Sequence, residues 1–274
     1  MHNADDLQHL PHQLDFEGAN NFRDLGGYPT TSGQQVRRGM VYRADQLGKL
    51  TDADQALLAQ LGIRTVVDFR RRLEREEILD RIDDASIRQV WLPVEEEAAD
   101  VKGLRRLLEE GLIDANGAHQ YLVDANEHFI RRFSHVFGSY LELLLEAENY
   151  PLVFHCSAGK DRAGFAAALT LFVAGCSETV VKHDYLATNH CTANWVNGVL
   201  EGLNDVMGDR VDPEAVKMLM QVRPEFLQRA LDAIQEDYGN IAAYLDEGLG
   251  FDVAKRRQVR ELICEPLAWV AGQA

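Results

Sequence analysis

Eight consecutive residues carry most of the chemistry this chain could perform. In "PLVFHCSAGKDRAGFAAALTLFVAG", residues 151–175, His155, Cys156, Lys160, Asp161 and Arg162 stand between an apolar strand-like run and an apolar helix-like run. A loop in that position can turn its amides inward as a concave nest, and the helix adds free N–H groups and a positive end. Gly159 permits a backbone conformation or close approach that a Cβ would block. Such a bowl suits a tetrahedral oxyanion. Cys156 lies at its base, where amides and helix end favour the thiolate, the nucleophilic form. Arg162 closes the bowl with a planar fork that can hold two oxygens of one phosphoryl group. A nucleophile and a clamp facing one phosphorus atom would give in-line attack and a cysteinyl-phosphate intermediate. Two plainer readings compete. A cysteine at a strand end is commonly a small buried hydrophobe. Gly159-Lys160 could belong to a nucleotide-binding loop, but that motif needs Gly five places earlier and Ser or Thr after the lysine, where this chain has Phe154 and Asp161.

The flanking sequence must position this loop. "IRTVVDFR" and "SIRQVWLPV" read as strands, "LVFHC" as the strand entering the loop, and "RAGFAAALTLFVAG" as a buried helix. "QVRRGMVYRA" suggests short strands in a hairpin. Thr51 and Asp54 have nearly capping-box spacing for a helix that stops at Gly62. Apolar residues from His119 to Glu148 repeat at three and four, predicting one long amphipathic helix. The last hundred residues read as helices, with starts at Asp212-Pro213 and Arg223-Pro224 and a tail helix reaching about Ala268. Strands alternating with helices predict an α/β fold, a central mixed, mostly parallel sheet flanked by helices. One domain over 1–274 is expected, with 1–18 as a flexible arm and helices in 95–117 and 190–222 placed to act as a lid.

Composition narrows the function. With 274 residues and 46% hydrophobic content the chain can build a sizeable core. A net charge of −16 argues against broad binding to nucleic acid or an anionic membrane surface. No run is long and apolar enough for stable membrane insertion, and the first residues do not read as a signal peptide. The four cysteines fit neither a disulfide framework nor a zinc site. A cytoplasmic location is the expectation, with signal-less export left open. No metal and no cofactor are expected; His183, His190 and Cys191 read as helix-face residues.

Cys-x5-Arg preceded by His is similar to the signature of cysteine-dependent tyrosine and dual-specificity phosphatases. The fuller "HCSAGKDRAGF" resembles the bacterial tyrosine/serine phosphatase branch, which includes phosphoinositide-cleaving members. "NNFRDLGGY", "GIRTVVDFR", "DYLATN" and the segment 222–250 resemble other parts of that branch, so the likeness runs from about Ala19 to Leu262. It implies the cysteine phosphatase fold with extra C-terminal helices. It implies Cys156 as nucleophile, Arg162 as transition-state clamp, and the amides of Ser157, Ala158, Gly159, Lys160, Asp161 and Arg162 as phosphoryl ligands. His155 would sit behind the thiolate and support its ionisation. Substrates would be phosphorylated proteins, phosphotyrosine first, with phosphoserine/threonine or phosphoinositides as further options and inorganic phosphate as product. Lys160 at the rim could meet a second phosphate. Asp68, at the end of the strand expected beside the loop, is the first choice for general acid; Asp161 is second, and Glu95, Glu96, Glu97 or Asp100 are third. Arg23 and Asp24 are expected to brace the loop or pair internally, and Arg70, Arg71 and Arg72 to be surface charges. One departure stands out. The family usually has Ser or Thr after the arginine, and this chain has Ala163. The alternatives are a phosphate-reading module without turnover and a rhodanese-like sulfurtransferase.

Overall fold

The computed structural model describes residues 7, 11–95, 107–108, 110–207 and 211–267, with main chain only at 203–207. Its centre is a six-stranded sheet in the order β1-β2-β4-β7-β5-β6, built from His12–Gln13 (β1), Arg23–Asp24 (β2), Val41–Ala44 (β4), Leu152–His155 (β7), Thr65–Asp68 (β5) and Arg88–Trp91 (β6). β4, β7, β5 and β6 run parallel, while β1 and β2 add an antiparallel edge. The expected mixed, mostly parallel sheet is therefore observed.

Alternating side chains face two layers, as the period of two requires. On one face Tyr42, Val66 and Val153 pack with Phe22, Ile63 and Leu58. Leu58 belongs to α1 (Asp52–Leu61), which has the full Thr51–Asp54 capping box and a left-handed Gly62 at its end. On the other face Val41, Val67, Leu152 and Phe154 join the larger core. That core includes α5 (Asp161–Ala174), almost wholly buried, and α4 (Ser134–Leu143). Between β5 and β6 lies the short α2 (Arg72–Glu77), and α3 (Ala115–Arg131) precedes α4. Helices α6 (Glu178–Cys191), α7 (Ala193–Met207), α8 (Pro213–Met220), α9 (Pro224–Tyr238) and α10 (Val253–Ile263) complete the chain. Asp212 and the prolines at 213 and 224 start their helices as the sequence suggests.

Four expectations are corrected. The stretch 119–148 is two helices, because the Arg132 and Phe133 amides both donate to His128 O (2.9 and 3.2 Å) and Ser134 Oγ donates to Ile130 O (2.5 Å), which breaks the regular ladder. β3 (Gln34–Val36) makes no hairpin with β4; it pairs antiparallel with β8 (Cys264–Pro266). The chain at 264–266 is thus a strand where a tail helix is predicted. Residues 11–18 are docked, not loose: β1 joins the sheet, Phe16 stacks on Phe22, and the Glu17 and Gly18 amides donate to Asp54 at 2.8 Å. Residues 96–106 and 109, which hold Glu96, Glu97, Asp100 and part of the expected lid, lie outside the described residues.

Candidate active site

The loop 156–160 leaves the C-terminal end of β7 and enters α5, at the carboxyl edge of the parallel strands, where open α/β sheets place their ligands. Its outer face is tied down by main-chain acceptors. Asn21 Nδ2 donates to Ala158 O (3.2 Å) and Gly159 O (3.0 Å), and Arg43 Nη2 donates to Gly159 O (2.6 Å). In a trans peptide the N–H points away from its C=O, so the Gly159 and Lys160 amides face away from these two acceptors. Gly159 has φ +67°, and a Cβ there would come within 2.7 Å of Ala44 O and Asp45 N. Only glycine lets the loop lie so close to the end of β4.

Behind the loop, Arg23 Nε and Arg43 Nη1 share Asp184 (3.1 and 2.6 Å), and Arg23 also reaches Thr188 Oγ1 (3.0 Å) and Asn21 Oδ1. Asp24 accepts from the amides of Gly26 and Gly39, both at 2.8 Å. Arg23 and Asp24 therefore brace the scaffold.

Cys156 is 2% exposed, at the base of the loop. His155 is fully buried. Its Nδ1 lies 3.3 Å from Cys156 O and its Nε2 3.1 Å from Asp80 Oδ2. Burial alone would lower the imidazole pKa, but the Asp80 and Asp68 carboxylates outweigh it and raise the value. The ring thus links the Cys156 main chain to two buried carboxylates.

Arg162 meets a partner that the sequence did not reveal. Glu74 of α2 grips its Nη1 and Nη2 at 2.6 and 2.9 Å. The same carboxylate accepts from Ser157 Oγ (2.8 Å), Arg71 N (2.8 Å) and Arg71 Nε (3.1 Å). Burial would raise the Glu74 pKa, but Arg162 and Arg71 hold it well below the usual carboxylate range. Arg162 is shifted upward in return: burial opposes this, and Glu74 and Cys156 outweigh it. Glu74 uses the end of the guanidinium. The Nε–Nη2 edge is the one a phosphoryl group could take without displacing the carboxylate.

Asp68 ends β5 beside the loop strand, as expected, but its carboxylate is already engaged. It is 4% exposed, and Arg70 grips it through N, Nε and Nη2 at 2.8–3.0 Å. Neither Asp68 nor Cys156 is among the residues that line the cavity beside Arg162. Arg70 is correspondingly buried at 1%, not a surface charge, because its guanidinium also serves Asp80 (2.9 Å). Asp68, Asp80 and His155 sit close enough to hold a cation; the Arg70 guanidinium already occupies that role. Asp161 faces the cavity. Its Oδ2 lies 3.4 Å from Lys160 Nζ, and its buried Oδ1 has no hydrogen-bond partner among the described residues. Lys160 is buried and donates to Gln221 O (3.1 Å) instead of standing free at the rim. Glu95 accepts from the Arg72 amide (3.1 Å). Ala163 is fully buried in the first turn of α5.

The cavity measures about 400 Å³. It is lined by charged Arg71, Glu74, Asp124, Lys160, Asp161 and Arg162, by apolar Val94, Leu122, Ala125, Phe129, Phe133 and Leu219, and by Tyr121 and His128. Among the described residues no helix is long and apolar enough to cross a membrane.

Comparison with known proteins agrees with this chemistry. The chain is 30% identical over 250 residues to a candidate tyrosine-protein phosphatase of Cupriavidus necator, covering 90% of this chain and 87% of that one. It is 29% identical over 259 residues to the triple specificity protein phosphatase PtpB of Mycobacterium tuberculosis, covering 85% and 92%. Among solved structures, the catalytic core of the PP-IP phosphatase Siw14 from S. cerevisiae aligns at 12% identity and TM-score 0.33, covering 76% of this chain and 91% of that one. TpbA of P. aeruginosa aligns at 17% and 0.30, covering 69% and 90%. The sequence model of the tyrosine phosphatase family matches residues 14–265. A loop with cysteine at its base and arginine at its exit, found within a match of that length, places this chain in the tyrosine phosphatase family.

Proposed function

We propose that the chain hydrolyses phosphomonoesters through a cysteinyl-phosphate, with protein phosphotyrosine as the lead substrate. The Cys156 thiolate attacks phosphorus, an S–P bond forms, and the ester P–O bond breaks. Water then attacks the phosphoenzyme, releasing inorganic phosphate and the thiolate. Arg162 and the amides of residues 157–162 would hold the equatorial oxygens as charge develops. Asp161 is the group we assign to protonate the leaving oxygen, in place of Asp68. Its carboxylate faces the cavity with one oxygen unengaged, whereas both oxygens of Asp68 are held by Arg70.

The observation that carries the substrate reading is the cavity itself. Its lining combines apolar Phe129, Phe133, Leu122, Val94 and Leu219 with the Arg162 guanidinium, a composition that suits an aromatic ring bearing a phosphate. Lys160, bonded to Gln221 O and close to Asp161, is poorly placed to greet a second phosphate, which favours phosphotyrosine over phosphoinositides. A cytoplasmic setting would suit the free thiol, because a reducing environment keeps it usable.

The deciding experiment is a panel of phosphotyrosine peptide, phosphoserine peptide and phosphoinositide, run on wild type and Cys156→Ser. Phosphotyrosine should be cleaved fastest, and Cys156→Ser should be inert on all three. Turnover by Cys156→Ser would overturn the nucleophile assignment. Preference for phosphoinositide would overturn the substrate assignment alone.

A further inference from the structure

β2 and β4 place Arg23 directly opposite Arg43 in antiparallel register. Like charges in that position repel, and here both side chains are fully buried. A single carboxylate, Asp184, lies between them, held by Arg23 Nε, Arg43 Nη1 and, at 3.4 Å, Tyr28 Oη. The other buried acids nearby direct their oxygens to amides: Asp45 to Asn20 and Asn21, Asp24 to Gly26 and Gly39. Two cations and one anion leave this trio itself with one unit of positive charge. Arg43 Nε, buried, has no acceptor among the described residues. Burial and the neighbouring Arg23 both lower the Arg43 pKa, as expected for a cation short of counter-charge.

This charge touches the active loop. Arg43 Nη2 bonds Gly159 O at 2.6 Å. It also lies beside Gly164 in the first turn of α5, where a Cβ would be 3.4 Å from Nη2. A buried charge is poorly screened by salt and acts over several ångströms. The species that can balance it are the Cys156 thiolate and the bound oxyanion.

We infer that Arg23, Arg43 and Asp184 form a buried cationic base beneath the loop, whose excess positive charge strengthens oxyanion binding and maintains the reactive thiolate. Arg43 is a positioning residue that acts through the loop, without touching substrate. The inference rests on the reading of loop 156–162 as the oxyanion site.

The test compares orthovanadate affinity and the rate of Cys156 alkylation by iodoacetamide at one fixed pH, with folding checked by circular dichroism. Arg43→Gln removes the excess charge and should weaken vanadate binding and slow alkylation, each by about tenfold, roughly 1.4 kcal/mol. Asp184→Asn adds to the excess and should do the reverse. Arg43→Lys keeps the charge and should stay close to wild type in alkylation. Bracing without electrostatics predicts instead that all three variants lose vanadate affinity; a folded Asp184→Asn that binds vanadate more weakly and alkylates more slowly overturns the inference. Should Asp184→Asn fail to fold, equal losses in Arg43→Lys and Arg43→Gln overturn it. If wild type itself binds no vanadate, the underlying oxyanion-site reading fails instead.

Discussion

Glu74 offers the sharpest test of how the clamp works. Its carboxylate makes two charge-assisted hydrogen bonds to Arg162, at 2.6 and 2.9 Å, with both side chains about four-fifths buried. Such bonds contribute about 1.5–3 kcal/mol each. Glu74→Gln keeps one acceptor oxygen and loses the other, so roughly one bond's restraint on Arg162 disappears. Partial solvent access argues for the lower figure, about 1.5 kcal/mol. If Glu74 aims the guanidinium at the transition state, kcat/KM on an aryl phosphate should fall roughly tenfold. The assay is steady-state hydrolysis of p-nitrophenyl phosphate by wild type, Glu74→Gln, Arg162→Lys and the double variant. If Glu74 acts mainly through Arg162 and not through its bonds to Ser157 and Arg71, its substitution should cost less than about twofold once Arg162 is lysine. A rise in kcat/KM for Glu74→Gln would refute the reasoning, because it would mean that the carboxylate blocks the fork that substrate needs. Fully additive losses would also refute it.

Other expectations follow from the same geometry. Asp161→Asn should lower kcat on a phosphotyrosine peptide by about 10²–10⁴-fold and on p-nitrophenyl phosphate, whose leaving group needs little protonation, by under about tenfold; equal losses on both would exclude Asp161 as the acid. Ala163→Ser supplies the hydroxyl that the resembled family has at this position and should speed phosphoenzyme breakdown by roughly tenfold or more; an unchanged breakdown rate in a rapid quench would contradict this. His155 has a folded-state pKa raised above its ordinary value of about 6.5, so its contribution to stability is complete below that pH and lost as pH rises through the folded value. Melting curves should show Tm falling across that window in wild type and falling less in Asp80→Asn; identical slopes would argue against the pairing. If 95–117 and 190–222 form a lid, vanadate should protect them from limited proteolysis, and unchanged cleavage would speak against closure.

The loop was legible because its chemistry is local. His155, Cys156, Gly159 and Arg162 stand in one short run whose flanks announce a strand and a helix. Their partners were not, because they come from distant parts of the chain. Arg23 and Asp184 are 161 positions apart, and Glu74 reaches Arg162 across 88. Asp68 illustrates the cost of arguing from topology alone. Its strand does lie beside the loop strand as expected, with Asp68 opposite His155, yet nothing in the sequence marks that Arg70, two residues on, folds back and engages both carboxylate oxygens. Arg70 looked like surface charge because basic runs usually are; two buried aspartates reversed that. The break at Arg132-Phe133 was hidden because both halves keep the same apolar spacing.

The pairing of Arg23 and Arg43 with Asp184 also bears on how the chain is born. While a ribosome has yet to add residue 184, two guanidiniums destined for the interior have no counterion, and β2 and β4 cannot be sealed without a severe penalty. At ordinary elongation speeds of about 5–20 residues per second, that interval between Arg43 and Asp184 lasts roughly 7–28 seconds. The ion pairs that let β2 and β4 bury their arginines thus become available only once α6 has been synthesised.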